Sequence, residues 1–114
     1  MSEIDGRVLK LQESLGNGHE LIQIIEDSAR TFGVSVPYLK KLFKTQTGKT
    51  IIQFDNELRL EKARKLFETK YLRISEVCVQ VGYGDLSHFV KDFKQKYGFT
   101  PKQFQRQCWL KMAK

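Results

Sequence analysis

LFKTQTGKT (residues 42–50) and DFKQKYGFT (residues 92–100) are two versions of one segment in a chain of 114 residues. Aligned without gaps they share four residues: Phe43/Phe93, Lys44/Lys94, Gly48/Gly98 and Thr50/Thr100. In each copy an apolar face at helical spacing ends at a glycine, and a threonine then caps the next helix. The duplication predicts two similar helical units, which are too few for a solenoid of about three or more repeats.

Helical periodicity continues on both sides of these segments, and no long alternating run indicates strands. The helix that begins at Thr50-Ile51-Ile52-Gln53, a capping-box spacing, is predicted to run to about residue 69. Its apolar residues fall into two offset sets, which are Ile51, Phe54 and Leu58, and then Leu60, Ala63 and Phe67. Such a helix contributes to two small cores in turn, so we expect a rigid connector between two subdomains.

Positive charge is concentrated in the part of the chain that carries the duplication. Residues 1–31 hold three Lys or Arg against six Asp or Glu, a net charge of −3. Residues 32–114 hold seventeen against seven, a net charge of +10. This excess suits a polyanion. On charge alone nucleic acid is the first candidate partner, and an acidic membrane or an acidic protein stays open as the alternative.

No motif of an enzyme, a metal site or a targeting segment is found. The N-terminal residues are polar and mildly acidic, which does not suggest a secretion signal, and no apolar run approaches the roughly 18 residues of a membrane span. Cys78 and Cys108 lie in apolar helical surroundings and are predicted to be reduced core residues. His19 and His88 lack partners at ligand spacing. The sequence therefore predicts no catalysis, no cofactor and no metal.

Two short helices joined by a glycine-containing turn are the form of a helix-turn-helix, whose second helix enters the major groove of DNA. In each predicted second helix the phenylalanines face inward. The aromatic residues predicted to face inward, in these two helices and in the connector, are Phe43, Phe54, Phe89, Phe93 and Tyr97. The outward sides mix lysines with small, polar or apolar residues. A mixed surface suits reading of bases, whereas a uniformly basic one suits phosphates alone.

The run RLEKARKLFETKYLRISEVCVQVGYGDLSHFVKDFKQKYGFTPKQF (residues 59–104) resembles the DNA-binding domain of the AraC/XylS transcription regulators, and the likeness extends over about residues 20–106. Its markers are Arg59-Leu60 with Ala63, Gly82-Tyr83, Phe89 with Phe93-Lys94, and Gly98 followed by Thr100-Pro101. Arg73, at a helix start, and Gln105-Arg106 depart from the family pattern. The resemblance implies an all-α fold of about seven helices, in which two helix-turn-helix subdomains are joined by the long connector.

The expected organisation along the chain has five parts. They are an acidic N-terminal helix or linker (1–19), the first helix-turn-helix (20–49), the connector helix (50–70), the second helix-turn-helix with a C-terminal helix (71–110), and a tail (111–114). The resemblance also implies that both recognition helices enter successive major-groove segments on one side of the duplex. A rigid connector fits this arrangement, because groove segments recur about 34 Å apart.

The resemblance assigns base-facing positions to both recognition helices. In the first they are Val36, Pro37, Lys40, Lys41 and Lys44, and in the second Asp85, Leu86, Ser87, His88 and Lys91. Asp85 is also the expected N-cap, and Leu86 is expected either to cover the core or to touch a thymine methyl. Candidates for phosphate contact at helix starts are Thr50, Thr100 and Lys102.

The predicted function is sequence-specific binding of double-stranded DNA to regulate transcription, in the bacterial cytoplasm and at the nucleoid. RNA polymerase is a further candidate partner, and no sensor or dimerisation domain is expected within this chain. An alternative stays open at this point. The chain would then be a protein-interaction module that docks on RNA polymerase or on a partner regulator and binds DNA only weakly and nonspecifically.

Overall fold

The computed structural model describes residues 3–17 and 20–113, which form seven α-helices and no strand. The helices are α1 (Gly6–Ser14), α2 (Leu21–Phe32), α3 (Val36–Thr47), α4 (Ile51–Thr69), α5 (Ile74–Gln80), α6 (Leu86–Tyr97) and α7 (Pro101–Met112). The predicted all-α fold of about seven helices is confirmed. His19 and Lys114 lie outside the described residues. None of the described helices combines the length and apolarity needed to cross a membrane.

The chain divides into two compact units, Met1–Leu58 and Arg59–Lys114, each with its own hydrophobic core. The division falls within α4. Residues from the first half of α4 pack in the first core, and residues from its second half pack in the second. This confirms the two offset apolar sets, because Ile51, Phe54 and Leu58 belong to the first core and Leu60, Ala63 and Phe67 to the second.

The first unit is built around Phe43 of α3, which is fully buried and meets Phe54 edge to face at 5.4 Å between ring centroids. The helix-turn-helix formed by α2 and α3 does not make this core alone, since α1 also contributes to it. The buried core residues are Val8, Leu11, Leu15, Ile25, Ala29, Leu39, Phe43 and Ile51. The N-terminal helix is therefore an integral part of the first unit.

Gly16 lies just after α1 and contacts α4. Its backbone N–H donates to Oδ1 of the buried Asp55 on α4 at 2.6 Å. Its φ is +75°, and a Cβ at this position would lie 2.6 Å from Cβ of Leu58. Any other residue would be strained by this backbone conformation and would also clash with α4. The close approach of α1 to α4 therefore requires glycine at residue 16.

The second unit packs around Phe93 of α6, whose ring lies 5.7 Å from that of Phe67 and 5.6 Å from that of Phe104. Contacts of this kind are favourable beyond the apolar area that they bury. The remaining buried core comes from α4, α5, the turn, α6 and α7 and includes Leu60, Ala63, Val77, Cys78, Val81, Tyr83, Phe89 and Cys108. The inward-facing aromatic residues of the sequence thus lie where they were predicted.

Arg59 fixes the turn of the second helix-turn-helix. Its side chain is buried, and Nη1 donates to the carbonyl oxygens of Val81 at 3.1 Å and Gly82 at 2.8 Å. These carbonyls follow the last turn of α5 and have no partner within a helix. A charged donor satisfies them strongly and also complements the negative end of the helix dipole.

The turns of the two helix-turn-helix units close in the same way. The N–H of Val34 donates to the carbonyl of Ala29 at 3.0 Å, and the N–H of Tyr83 donates to that of Cys78 at 3.0 Å. In both, a glycine in the left-handed region, Gly33 or Gly82, precedes the donor residue. The second turn has one residue more, Gly84, before its N-cap. The copies are therefore 49 residues apart at the turns and 50 along α3 and α6.

At two positions that depart from the family pattern, Arg73 and Gln105, a hydrogen bond supports the fold. At Arg73 the backbone N–H donates to Oε1 of Glu76 at 3.2 Å, so that glutamate supplies part of the cap at the start of α5. Gln105 is buried, and its side-chain amide donates to the carbonyl oxygen of Leu72. This bond fastens α7 to the segment that precedes α5.

Asp5 caps α1 and forms an ion pair with Arg7. Its carboxylate accepts from the backbone N–H of Arg7 at 2.9 Å and lies 2.7 Å from Nη2 of the same residue. The side-chain and then the backbone hydrogen bond from Arg7 lower the pKa of Asp5 to about 2. The guanidinium also lies 5.7 Å from the ring centroid of Tyr38 on α3. Arg7 therefore contacts both the cap of α1 and the recognition helix.

We expect Arg7→Met to raise the pKa of Asp5 from about 2 towards the ordinary aspartate value of about 4, because both the ion pair and the side-chain hydrogen bond are lost. The folded-state pKa lies below the unfolded one. The carboxylate therefore contributes stability above about pH 4, and this contribution is lost as the pH falls through about 2. NMR titration of the Asp5 carboxyl carbon measures the shift. Lys10→Met, which removes an exposed charge from the same helix, is the control. Equal Asp5 titration in both variants would contradict the assignment.

Candidate nucleic-acid interface

The first recognition helix, α3, separates its core side from a basic outer side. Ser35 accepts from the backbone N–H of Tyr38 at 3.2 Å and begins the helix, with proline in the first turn. Leu39 and Phe43 are buried. The exposed predicted site residues are Pro37, Lys40, Lys41 and Lys44. Val36 differs from the others, because it is half-buried and packs against the first core.

Lys40, Lys41 and Lys44 share an open groove with Thr50, where the end of α3 meets the start of α4. The groove has a volume of about 730 Å³. The structure thus brings three predicted base-facing lysines together with one predicted phosphate contact. The rest of the lining is Ile25, Thr45, Ile51 and Ile52.

The second recognition helix, α6, has a less basic outer side. Asp85 is its N-cap and accepts from the backbone N–H groups of Ser87 at 2.8 Å and His88 at 3.2 Å. Ser87, His88 and Lys91 are exposed. Leu86 is 46% exposed and is not part of the second core, so its side chain is available at the surface. The five predicted residues lie on the first two turns of one helix.

His88 is held by neighbours that sequence reasoning did not find. Its Nε2 lies 3.1 Å from Oδ2 of Asp92, one turn further along α6, and forms an ion pair with it when the imidazole is protonated. The hydroxyl of Tyr83 donates to the same Oδ2 at 3.1 Å. The rings of Tyr83 and His88 meet edge to face at 5.9 Å. The spacing of His88 and Asp92 could have indicated this contact from the sequence, since residues four apart share a helix face.

Both threonine caps have the predicted geometry. Oγ1 of Thr50 accepts from the N–H of Gln53 at 3.1 Å, and Oγ1 of Thr100 accepts from that of Gln103 at 3.1 Å. The glutamine side chains accept in return from the threonine N–H groups. The threonine hydroxyls remain able to donate their protons to an anion near the positive end of the helix dipole. Lys102 is exposed in the first turn of α7.

In residues 3–17 and 20–113, no cluster of three or more His, Cys, Asp and Glu side chains could hold a metal ion. Cys78 and Cys108 are buried free thiols. Burial raises the pKa of both, which keeps them protonated and unreactive. They act as small core residues, as predicted.

Comparison with known proteins agrees with this geometry. A helix-turn-helix domain family matches residues 28–107. An uncharacterised HTH-type transcriptional regulator in the cgkA 5′ region of Pseudoalteromonas carrageenovora is 39% identical over 82 residues, which cover 72% of this chain and 48% of that protein. The xylose operon regulatory protein of Escherichia coli K12 is 39% identical over 72 residues, 63% of this chain and 18% of that protein. The chain thus spans about half or less of the length of these relatives.

Among solved structures, a probable AraC family transcriptional regulator from Rhodopseudomonas palustris superposes with a TM-score of 0.82 at 21% identity. The match covers 91% of this chain and 98% of that one, and it shows a shared fold. The match of the family to residues 28–107, together with the likeness to the xylose operon regulatory protein, establishes that the chain belongs to the AraC/XylS family of helix-turn-helix transcription regulators and forms a DNA-binding domain of that type.

Proposed function

We propose that this domain binds double-stranded DNA sequence-specifically by placing α3 and α6 in successive segments of the major groove. The observation that carries the proposal is the equivalence of the two helices. Each buries a phenylalanine, Phe43 or Phe93, and exposes the opposite side. A helix about 10–12 Å across fits the major groove, which is about 12 Å wide. Regulation of transcription in the bacterial cytoplasm, on DNA of the nucleoid, is the proposed setting.

The two helices have different roles in this proposal. The outer side of α3 carries three lysines that share a groove with Thr50, and their ammonium groups suit phosphate oxygens. The outer side of α6 offers a hydroxyl, an imidazole, a leucine and one lysine near its start. These groups suit base edges, since Ser and His exchange hydrogen bonds and a leucine can pack against a thymine methyl. The first unit therefore anchors the domain, and the second contributes more of the sequence discrimination.

Selection of bound duplexes from a randomised pool tests the proposal. We expect a few related sequences to be enriched and to resist competition by heparin, because base contacts add to the salt-sensitive phosphate contacts. If all duplexes bind alike and heparin removes the protein equally well, the sequence-specific reading is wrong. That outcome would favour the alternative of a module that docks on RNA polymerase or a partner regulator.

Replacement of single lysines separates the two roles. Lys91→Ala on α6 should weaken binding to the enriched duplex by about 1–3 kcal/mol and relax selection at one base step. Lys44→Ala on α3 should weaken binding to all duplexes alike and reduce the salt slope by about one. Titrations at several salt concentrations measure both effects. Lys10→Ala on α1, which removes the same charge outside the proposed interface, is the control. A uniform loss for Lys91→Ala would identify it as a phosphate contact instead.

Asp92 should act on DNA through His88. We expect His88→Ala and Asp92→Ala each to relax base selection, and the effect of Asp92→Ala to vanish when His88 is already alanine. Circular dichroism of each variant controls for damage to the core. Affinities for single-base variants of the enriched duplex measure the coupling. Additive losses in the double variant would contradict a positioning role.

A further inference from the structure

An exposed apolar patch lies on the second unit, beside the phosphate-contact candidate Lys102. Leu110 is 64% exposed and Trp109 38% exposed, both on α7, and Tyr71 before α5 is 63% exposed. The rings of Tyr71 and Trp109 lie 5.7 Å apart at an angle of 46°. A cleft of about 320 Å³ lies beside them and is lined by Lys102, Gln105, Arg106, Trp109 and Leu110. We call Tyr71, Arg106, Trp109 and Leu110 the α7 patch.

The composition of the α7 patch is that of an interface anchor. Single exposed apolar side chains are ordinary on protein surfaces. A tryptophan, a tyrosine and an arginine beside one cleft are the residue types that supply most of the binding energy at protein interfaces. The other side of α7 already serves the core through Phe104 and Cys108. Trp109 and Leu110 are therefore large apolar residues that do not belong to the second core.

The charges around the patch indicate the partner. The cleft is lined by two basic residues, Lys102 and Arg106, and by no acidic residue among those described, whereas Lys111 lies in a different pocket of α7 together with Glu68. The carboxylates closest to Tyr71 in the sequence have basic partners within the second unit, since Glu68 pairs with Arg64 and Glu76 pairs with Arg73. A basic cleft beside apolar side chains is complementary to an acidic ligand with an apolar residue.

DNA is the less suitable polyanion for this surface. Arg106 could meet a phosphate, but the indole and the leucine side chain gain nothing against a charged backbone. Burial of their apolar area favours a protein segment instead. Lys102, a phosphate-contact candidate, lines the cleft, whereas none of the predicted contact residues of α6 does.

We propose that the α7 patch docks an acidic segment of a partner protein. A large apolar side chain of that segment lies in the cleft against Trp109 and Leu110, and its carboxylates meet Arg106. The site is separate from the reading surface of α6, so the partner and DNA bind at the same time. This interaction would link the DNA-bound domain to another protein.

Trp109 is the one tryptophan of the chain, so its fluorescence reports on the patch directly. The probes are synthetic peptides made from sequences that a displayed library of random peptides enriches on the intact chain. We expect acidic peptides with an aromatic or aliphatic residue. Their binding should shift the Trp109 emission to shorter wavelength and protect it from acrylamide.

Three variants accompany the titrations. Leu110→Ala and Arg106→Glu should each weaken peptide binding about tenfold or more, as expected for anchor residues. Lys10→Glu, the same charge reversal on α1, should leave peptide binding unchanged. Leu110→Ala should keep its affinity for the enriched duplex, and circular dichroism shows whether each variant is folded.

Other outcomes would overturn the proposal. The enriched peptides could lack acidic residues or leave Trp109 emission unchanged, in which case the patch is not their site. Duplex DNA could displace the peptide, which would assign the patch to the DNA interface. A shift in emission with protein concentration alone, together with a dimer in sedimentation, would show that a second copy covers it.

Discussion

Burial of one phenylalanine on the inner side of each recognition helix is the constraint on which the structure depends. Phe43 and Phe93 have no exposed surface, and each lies among residues from at least two other helices of its unit. Because residues three and four apart share a helix face, fixing that ring also fixes which residues face solvent. The outward direction of Lys40 and Lys44 on α3, and of His88 and Lys91 on α6, follows from this packing.

Each unit also has, among the described residues, a stabilising contact that the other unit lacks. The first uses α1, whose close approach to α4 requires Gly16 and is fixed by the bond to Asp55. The second uses Arg59, which holds the turn before α6 through two carbonyl oxygens. These contacts differ although the helices that they position are alike. A duplicated motif has thus been stabilised in two unrelated ways.

Much of the fold was predictable because its signals are local. Helical spacing, threonine caps and terminal glycines lie within a few residues of the element that they define, and the two offset faces of α4 correctly indicated two cores. The supports of the site were not predictable, because they join residues far apart in sequence. Gly16 with Asp55 and Arg59 with Val81 are such pairs. Val36 was predicted as a base contact, yet its half-burial depends on the first core as a whole.

The central claim is that α3 and α6 each contact their own segment of DNA. Hydroxyl-radical footprinting on a selected duplex tests it most directly. The account predicts two protected patches on one face of the duplex, with centres about 10 base pairs apart. Lys40→Ala should weaken one patch and Lys91→Ala the other. A single continuous patch, or equal loss of both patches in either variant, would contradict the account.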